Sequence, residues 1–332
     1  MGSKPAAAGL GSLAAASFPL LVYDHGEQPD NSQIMLSVAN GSSRTYQIPE
    51  MRNSRYLETP RGLGLIVDTV SLQSFLWNPQ TGEKIALPAM DKALPVPDLR
   101  RRLDSRLPRP RLRHDGTESA VLSGEEAPPR GPACPTTPAS TSSRRATRTA
   151  TAFPRPRRRS AAWLLYFLDP TSTDVVGVLS LARDPEPHME LDTFDAPLPT
   201  IHSDAPQVVT MSFLLESSQE LFLVCLFFLG CSFERVEEVC AYRMDFSKRE
   251  WRKVTDIGDA AFLLGPGSFA ASCSAAEHGL KRGYVYLAYD VLGESNDCHV
   301  FDLTEGTREL VGPTQDMSVL VRDPFWIVPV LP

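Results

Sequence analysis

Short apolar runs punctuated by turn residues set the rhythm of this chain, and helical periodicity is weak nearly everywhere. In "FLWNPQTGEKIALP" (Phe75 to Pro88) an aromatic run stops at Asn78-Pro79, Thr81-Gly82 follows, and an apolar run returns before Leu87-Pro88. Pro79 fixes φ and lacks a donor, while Gly82 can take φ > 0, so the pattern predicts two strands joined by a turn. Pro88 ends the second strand because proline cannot donate to a ladder. Upstream, "IMLSVANGSSRTYQIPEM" follows the same plan around an Asn40-Gly41 turn. The first unit closes as I-P-x-M (Ile48, Pro49, Met51) and the second as L-P-x-M (Leu87, Pro88, Met90).

The hairpin recurs in "AYRMDFSKREWRKV" (Ala241 to Val254) and "CHVFDLTEGTRELV" (Cys298 to Val311). Superposing Asn78, Asp245 and Asp302 brings Leu87, Val254 and Val311 to one place, and Gly82 and Gly306 to one turn position. An apolar run precedes each of three hairpins: "GLGLIVD", "LFLVCLFF" and "YVYLAYD". Strand, strand, turn, strand, at a period near 40, is the pattern of a propeller blade, with a β-sandwich or an irregular β-fold as the competing all-β arrangements. Trp77, Trp251, Tyr286 and Phe301 are the expected packing residues between blades.

Composition changes this picture in the middle of the chain. Residues 96–160 hold 15 of the 33 basic residues, all Arg, and 6 of the 40 acidic ones, and contain no Ile, Met, Trp or Tyr. Such a stretch cannot bury enough apolar surface to offset the entropy of ordering it, so a long disordered Arg/Pro/Ser-rich segment is expected. As a loop insertion it adds only about 2–3 kcal/mol of closure cost. If it replaces a blade, the ring is left with exposed sheet edges that invite association. The abrupt Arg-only composition favours replacement, with a translated intron or shifted frame as its origin. The predicted organisation is a disordered N-terminus over 1–17, blades over 18–95, the disordered segment over 96–160, and further blades over 161–332.

The rest of the chain carries 18 basic and 34 acidic residues, which argues against nucleic acid as its main partner. Six cysteines without a C-x-x-C pair point to reduced thiols and a cytoplasmic or nuclear compartment. No membrane attachment is expected: the longest apolar run, Leu221 to Gly230, is about half of what a bilayer requires. The chemistry-bearing candidates read better as structure. Arg155 to Arg159 is a solvated basic run, Cys298-His299 an alternating strand pair, and "GLGL" and "GPGSF" turns that lack the residues of a phosphate loop. The acidic stretch Ala182 to Pro197 could supply paired carboxylates for glycoside chemistry but reads as a solvated loop. No catalytic, cofactor-binding or metal-ligating residue is nominated, and no enzyme activity is expected.

"SFLLESSQELFLV", "VCAYRMDFSKREWRKVTDIGDAAFLLG", "GLKRGYVYLAYD" and "CHVFDLTEG", in this order, resemble a large plant family of F-box-associated proteins that end in a KIB-type β-propeller, a domain of unknown function. The most specific block keeps Trp251, Val254, Gly258, Asp259, Ala261, Leu264 and Gly265; Ala260 stands where the family usually has Arg, which implies a lost surface contact. Asn78 to Glu83 and "PFWIVP" (Pro324 to Pro329) fit as well. The resemblance covers roughly 20–95 and 161–332 and fails across 96–160. It implies an all-β, divergent kelch-like propeller that holds an unidentified protein partner. Fuller members carry an F-box that docks the adaptor of a cullin-type ubiquitin ligase. Nothing before Phe18 resembles one, so this chain is not expected to bind the adaptor, and recognition of ligase substrates is the alternative reading.

Overall fold

Backbone pairing converts the predicted hairpins into five sheets. The computed structural model describes residues 13, 17–24, 32–51, 54–88, 150–157, 160–168, 174–182, 188–199, 208–229, 236–288, 298–312, 320 and 323–330. All belong to one unit, which takes its residues from Met1–Asp91 and Ser143–Pro332; Lys92–Ser142 lies outside the described residues. The first blade takes β1 (Leu20–Asp24), β2 (Ser32–Ser37) and β3 (Ser42–Gln47). The second consists of β4 (Ser54–Leu57), β5 (Gly64–Asp68), β6 (Ser74–Trp77) and β7 (Lys84–Ala86). β8 (Ala150–Arg157), β9 (Ser160–Leu168), β10 (Val175–Ala182) and β11 (His188–Asp195) make the third. β12 (Val208–Ser217), β13 (Glu220–Leu229), β14 (Val236–Asp245) and β15 (Glu250–Val254) make the fourth. The fifth holds β16 (Ala260–Leu264), β17 (Ala270–Ser274), β18 (Tyr284–Leu287), β19 (Cys298–Asp302) and β20 (Arg308–Val311), with helix α1 (Ala275–His278) between β17 and β18. Finally β21 (Phe325–Ile327) returns to pair with β1 and completes the first blade.

Sheets two to four run in chain order as four-stranded meanders, in agreement with the expected all-β propeller. The fifth departs from that plan: β16 pairs antiparallel with β17 and parallel with β18, so the order is β17-β16-β18-β19-β20. Ala150–Arg157 is strand β8, paired with β9 along its length. Its Pro154 and Pro156 are tolerated because β8 is the edge of its sheet. Leu13, in the N-terminal stretch expected to be disordered, is buried with Phe18.

The order of blades follows from which side chains pack together. In a strand, alternate residues leave by opposite faces. Leu20 and Val22 of β1 enter a cluster with Tyr56, Ile66 and Trp77 of the second blade. Leu21 and Tyr23 enter one with Ala261, Leu263 and Tyr286 of the fifth. Along β13, Phe222, Val224, Leu226 and Phe228 pack against the fifth blade, and Leu221, Leu223, Cys225 and Phe227 against the third. That is why "LFLVCLFF" is apolar throughout without being a membrane segment: both of its faces are covered. The second, first, fifth, fourth and third blades therefore pack in series. Trp77, Tyr286 and Phe301 are buried between blades as expected, while Trp251, on the outer strand β15, is only half-buried. Ala260 is buried between the fourth and fifth blades, so the position where the family usually has Arg is not on the surface here.

The recurring Asn or Asp is explained by the turns. Asn78 Oδ1 accepts the backbone N–H groups of Gln80 (2.9 Å) and Thr81 (3.2 Å). Asp245 Oδ1 accepts those of Ser247 (2.9 Å) and Lys248 (3.3 Å), and Asp302 Oδ1 those of Thr304 (2.7 Å) and Glu305 (3.1 Å). Each carboxylate or amide thus satisfies donors that a tight turn would otherwise strand. Four residues further on, the backbone turns left-handed, at Gly82 (φ 77°), Arg249 (φ 56°) and Gly306 (φ 67°). Gly41 (φ 67°) does the same in the first blade, bonded to the carbonyl of Ser37. Of these four positions only Arg249 carries a Cβ. That conformation costs a non-glycine residue on the order of 1 kcal/mol. Arg249→Gly is expected to raise the unfolding free energy by about 0.5–1 kcal/mol, read as a higher urea midpoint at unchanged m-value. A lowered midpoint would show that the turn is unstrained.

Candidate functional site

β21, β4, β8, β12 and β17 are each an edge strand of their sheet. β12 touches both β8 and β17, and the loops leaving these strands carry the polar groups that meet between blades. The loop after β4, "ETPRGL" (Glu58 to Leu63), is the centre of this cluster. It is closed on itself by Thr59, whose Oγ1 donates to the carbonyl of Leu63 (2.5 Å), and by the N–H of Gly62 on the carbonyl of Thr59 (3.1 Å). Gly62 has φ 84°, and a Cβ there would lie 2.5 Å from the carbonyl oxygen of Pro329. Only glycine lets this loop lie against the C-terminal segment.

Glu58 accepts the backbone N–H of Trp326 on β21. Solvent reaches part of the residue, but protein atoms crowd its carboxyl, and desolvation pushes its pKa from 4.5 up to about 8 against the opposing hydrogen bond. Arg61 reaches the fourth blade, placing Nη2 3.3 Å from Oε2 of Glu216 at the end of β12. The Glu216 carbonyl accepts the hydroxyl of Ser272 on β17 (3.0 Å). Trp326 Nε1 donates to the carbonyl of Leu264 on β16 (2.8 Å). These contacts tie the loop to the first and fourth blades and, through Trp326 and Glu216, to the fifth, and they use two carboxyl groups, one guanidinium and one hydroxyl. Such a set can exchange a proton near neutral pH and can recognise a polar or charged group presented to it.

The sequence nominated none of these residues. Glu58 and Arg61 sit in an unremarked loop between two short strands, and their one visible signal is a pair of opposite charges beside a glycine that must turn. The features weighed from sequence fall elsewhere. Glu190, Asp192 and Asp195 lie exposed on β11, the outer strand of the third blade, so the acidic stretch is not gathered into the cluster. Cys298 is buried and His299 half-buried, the in-and-out alternation of a strand; the imidazole stacks on Phe301 at 6.4 Å. Arg155 and Arg157 belong to β8, and Arg158 and Arg159 lie outside the described residues.

Gly265 to Phe269 is a turn, with Gly267 left-handed, as expected. The family block around it has physical reasons. Asp259 accepts the Ser274 hydroxyl (2.7 Å) and the N–H of Ala276 (3.2 Å), fixing the start of α1, and a Cβ on Gly265 would press on the Trp326 ring at 3.2 Å.

Cys225, Cys240, Cys273 and Cys298 are buried thiols. Burial pushes the Cys273 thiol up to about 12 and raises that of Cys240, which also donates to Glu238 Oε1 (2.9 Å). Neither is a thiolate nucleophile at neutral pH. Among the described residues, no group of three or more His, Cys, Asp or Glu side chains is placed to hold a metal, and no helix is long and apolar enough to cross a membrane. Comparison with curated proteins returned no match. A family model described as KIB1-4 beta-propeller matches residues 35–302.

Proposed function

Since the chain belongs to the KIB1-4 beta-propeller family, we propose that it works as a protein-binding module whose pre-formed turns grip a partner, and that it is not an enzyme. The observation that carries this reading is the construction of the outer turns. In the second, fourth and fifth blades an Asn or Asp side chain takes up the turn's own backbone donors. The side chains of Thr81, Lys248 and Glu305 are left exposed on a backbone that is already ordered. Contacts made by such loops cost little further ordering entropy, the advantage of a rigid scaffold in recognition.

The test is affinity capture by the full chain, followed by identification of the captured proteins. Lys248→Glu and Glu305→Lys, both at exposed positions with intact turn anchors, are expected to reduce capture of a specific protein at least about tenfold, with melting unchanged. Capture indifferent to both substitutions would remove the turns from recognition. A hydrolytic reading would rest on Glu58, whose raised pKa suits a general acid. Among the described residues its carboxylate companion in the cluster, Glu216, is held by Arg61, which does not favour such chemistry.

A further inference from the structure

The blades at the two ends of the packed series each keep one apolar face outside the buried clusters. In the second blade the face turned from the first carries a cross-strand row: Leu57 pairs with Leu65, Leu65 with Leu76, and Leu76 with Ile85. Leu65 and Leu76 are partly covered, while Leu57 and Ile85 are about half exposed (49% and 51%). In the third blade the face turned from the fourth carries Leu165 opposite Leu179 and Leu179 opposite Leu191, with Leu181 opposite Met189 beside them. Leu191 and Met189 are 64% and 70% exposed. Phe167 lies over Gly177 on the same face, so closely that a Cβ on Gly177 would fall 2.1 Å from its ring. None of these residues enters the apolar clusters that join the other blades, whereas their neighbours on the opposite faces, Ile66 and Trp77 in one blade and Tyr166 and Val176 in the other, do.

We propose that these two faces bind a second copy of this chain, the second-blade face of one copy packing against the third-blade face of another. Three observations select that occupant. Among the described residues, each junction between blades is an apolar sheet face laid on an apolar sheet face, and the two terminal faces have no such described neighbour. The two rows also correspond over the outer three strands of each sheet: Leu65, Leu76 and Ile85 on β5, β6 and β7 match Leu165, Leu179 and Leu191 on β9, β10 and β11. Each copy therefore carries both halves of a blade junction. The chain between the two blades, Ala89 to Thr149, is written without Ile, Phe, Tyr or Trp and is crowded with Arg and Pro. By composition it is a poor match for such a surface. Exposed apolar faces of this kind are common protein interfaces, and a face that matches another on the same molecule favours assembly of copies.

The test is the mass of the full-length chain in solution at micromolar concentration, by light scattering after size exclusion. The expected result for the wild-type chain is a mass at least twice that of one chain. Ile85→Lys and Leu191→Glu each place a charge in one apolar row and are expected to weaken assembly at least about tenfold. Leu310→Lys, at an exposed apolar position on the outer strand of the fifth blade, serves as the control and is expected to leave the mass unchanged. Thermal melting of each variant guards against misfolding. The double variant Ile85→Lys with Leu191→Glu sets Lys against Glu across the proposed contact and is expected to restore assembly. A wild-type chain that remains single, or single variants that stay assembled, would overturn the proposal. So would a folded double variant that stays dissociated, because only the pairing of unlike faces brings the two substitutions together.

Discussion

Trp326→Ala is expected to lower the unfolding free energy by about 4 kcal/mol, a large fraction of the stability of an ordinary domain. Trp326 is 1% exposed and belongs to the cluster between the first and fifth blades. Its strand, β21, supplies an edge of the first blade from the other end of the chain. Its backbone N–H is bonded to Glu58 of the second blade and its Nε1 to Leu264 of the fifth, so one residue ties three blades. Truncation opens a cavity the size of an indole, which accounts for most of the loss. The Leu264 carbonyl keeps the N–H of Ala288 (2.8 Å), so the indole hydrogen bond adds only about 1 kcal/mol. Trp326→Phe separates the two contributions: it retains most of the apolar contact and is expected to cost about 1–2 kcal/mol. Urea unfolding with a constant m-value measures both. A loss below about 1 kcal/mol for Trp326→Ala would mean that the strand completing the first blade does not clasp the neighbouring blades.

What was legible in the sequence was what local chemistry decides. Asn78, Asp245 and Asp302 could be superposed because each side chain does the same work within three residues of itself. Continuous apolarity within "LFLVCLFF" likewise records burial on both faces. The features that escaped depend on residues far apart. The parallel contact of β16 with β18 follows from the path through β17 and α1, which no period reveals. Glu58 was invisible for the same reason. Its burial is the work of the C-terminal segment, 268 positions away, and in isolation "ETPRG" is an ordinary charged turn.

Glu58 is also expected to make stability depend on pH in the direction opposite to most carboxylates. Its folded pKa of about 8 lies above the ordinary 4.5, so between these values the folded chain holds a proton that the unfolded chain releases. Unfolding then becomes more favourable as pH rises, and the stabilisation present near pH 5 is lost as pH climbs through about 8. After discounting for the solvent that reaches the residue, the loss should be on the order of 2–3 kcal/mol. Glu58→Gln keeps an oxygen to accept the Trp326 N–H and removes the titration. Its unfolding free energy should match that of the wild type near pH 5 and exceed it above pH 8, by that same amount. The comparison uses the difference between the two profiles, so groups that titrate in both chains cancel. Parallel profiles from pH 5 to 9 would show that folding does not raise the Glu58 pKa.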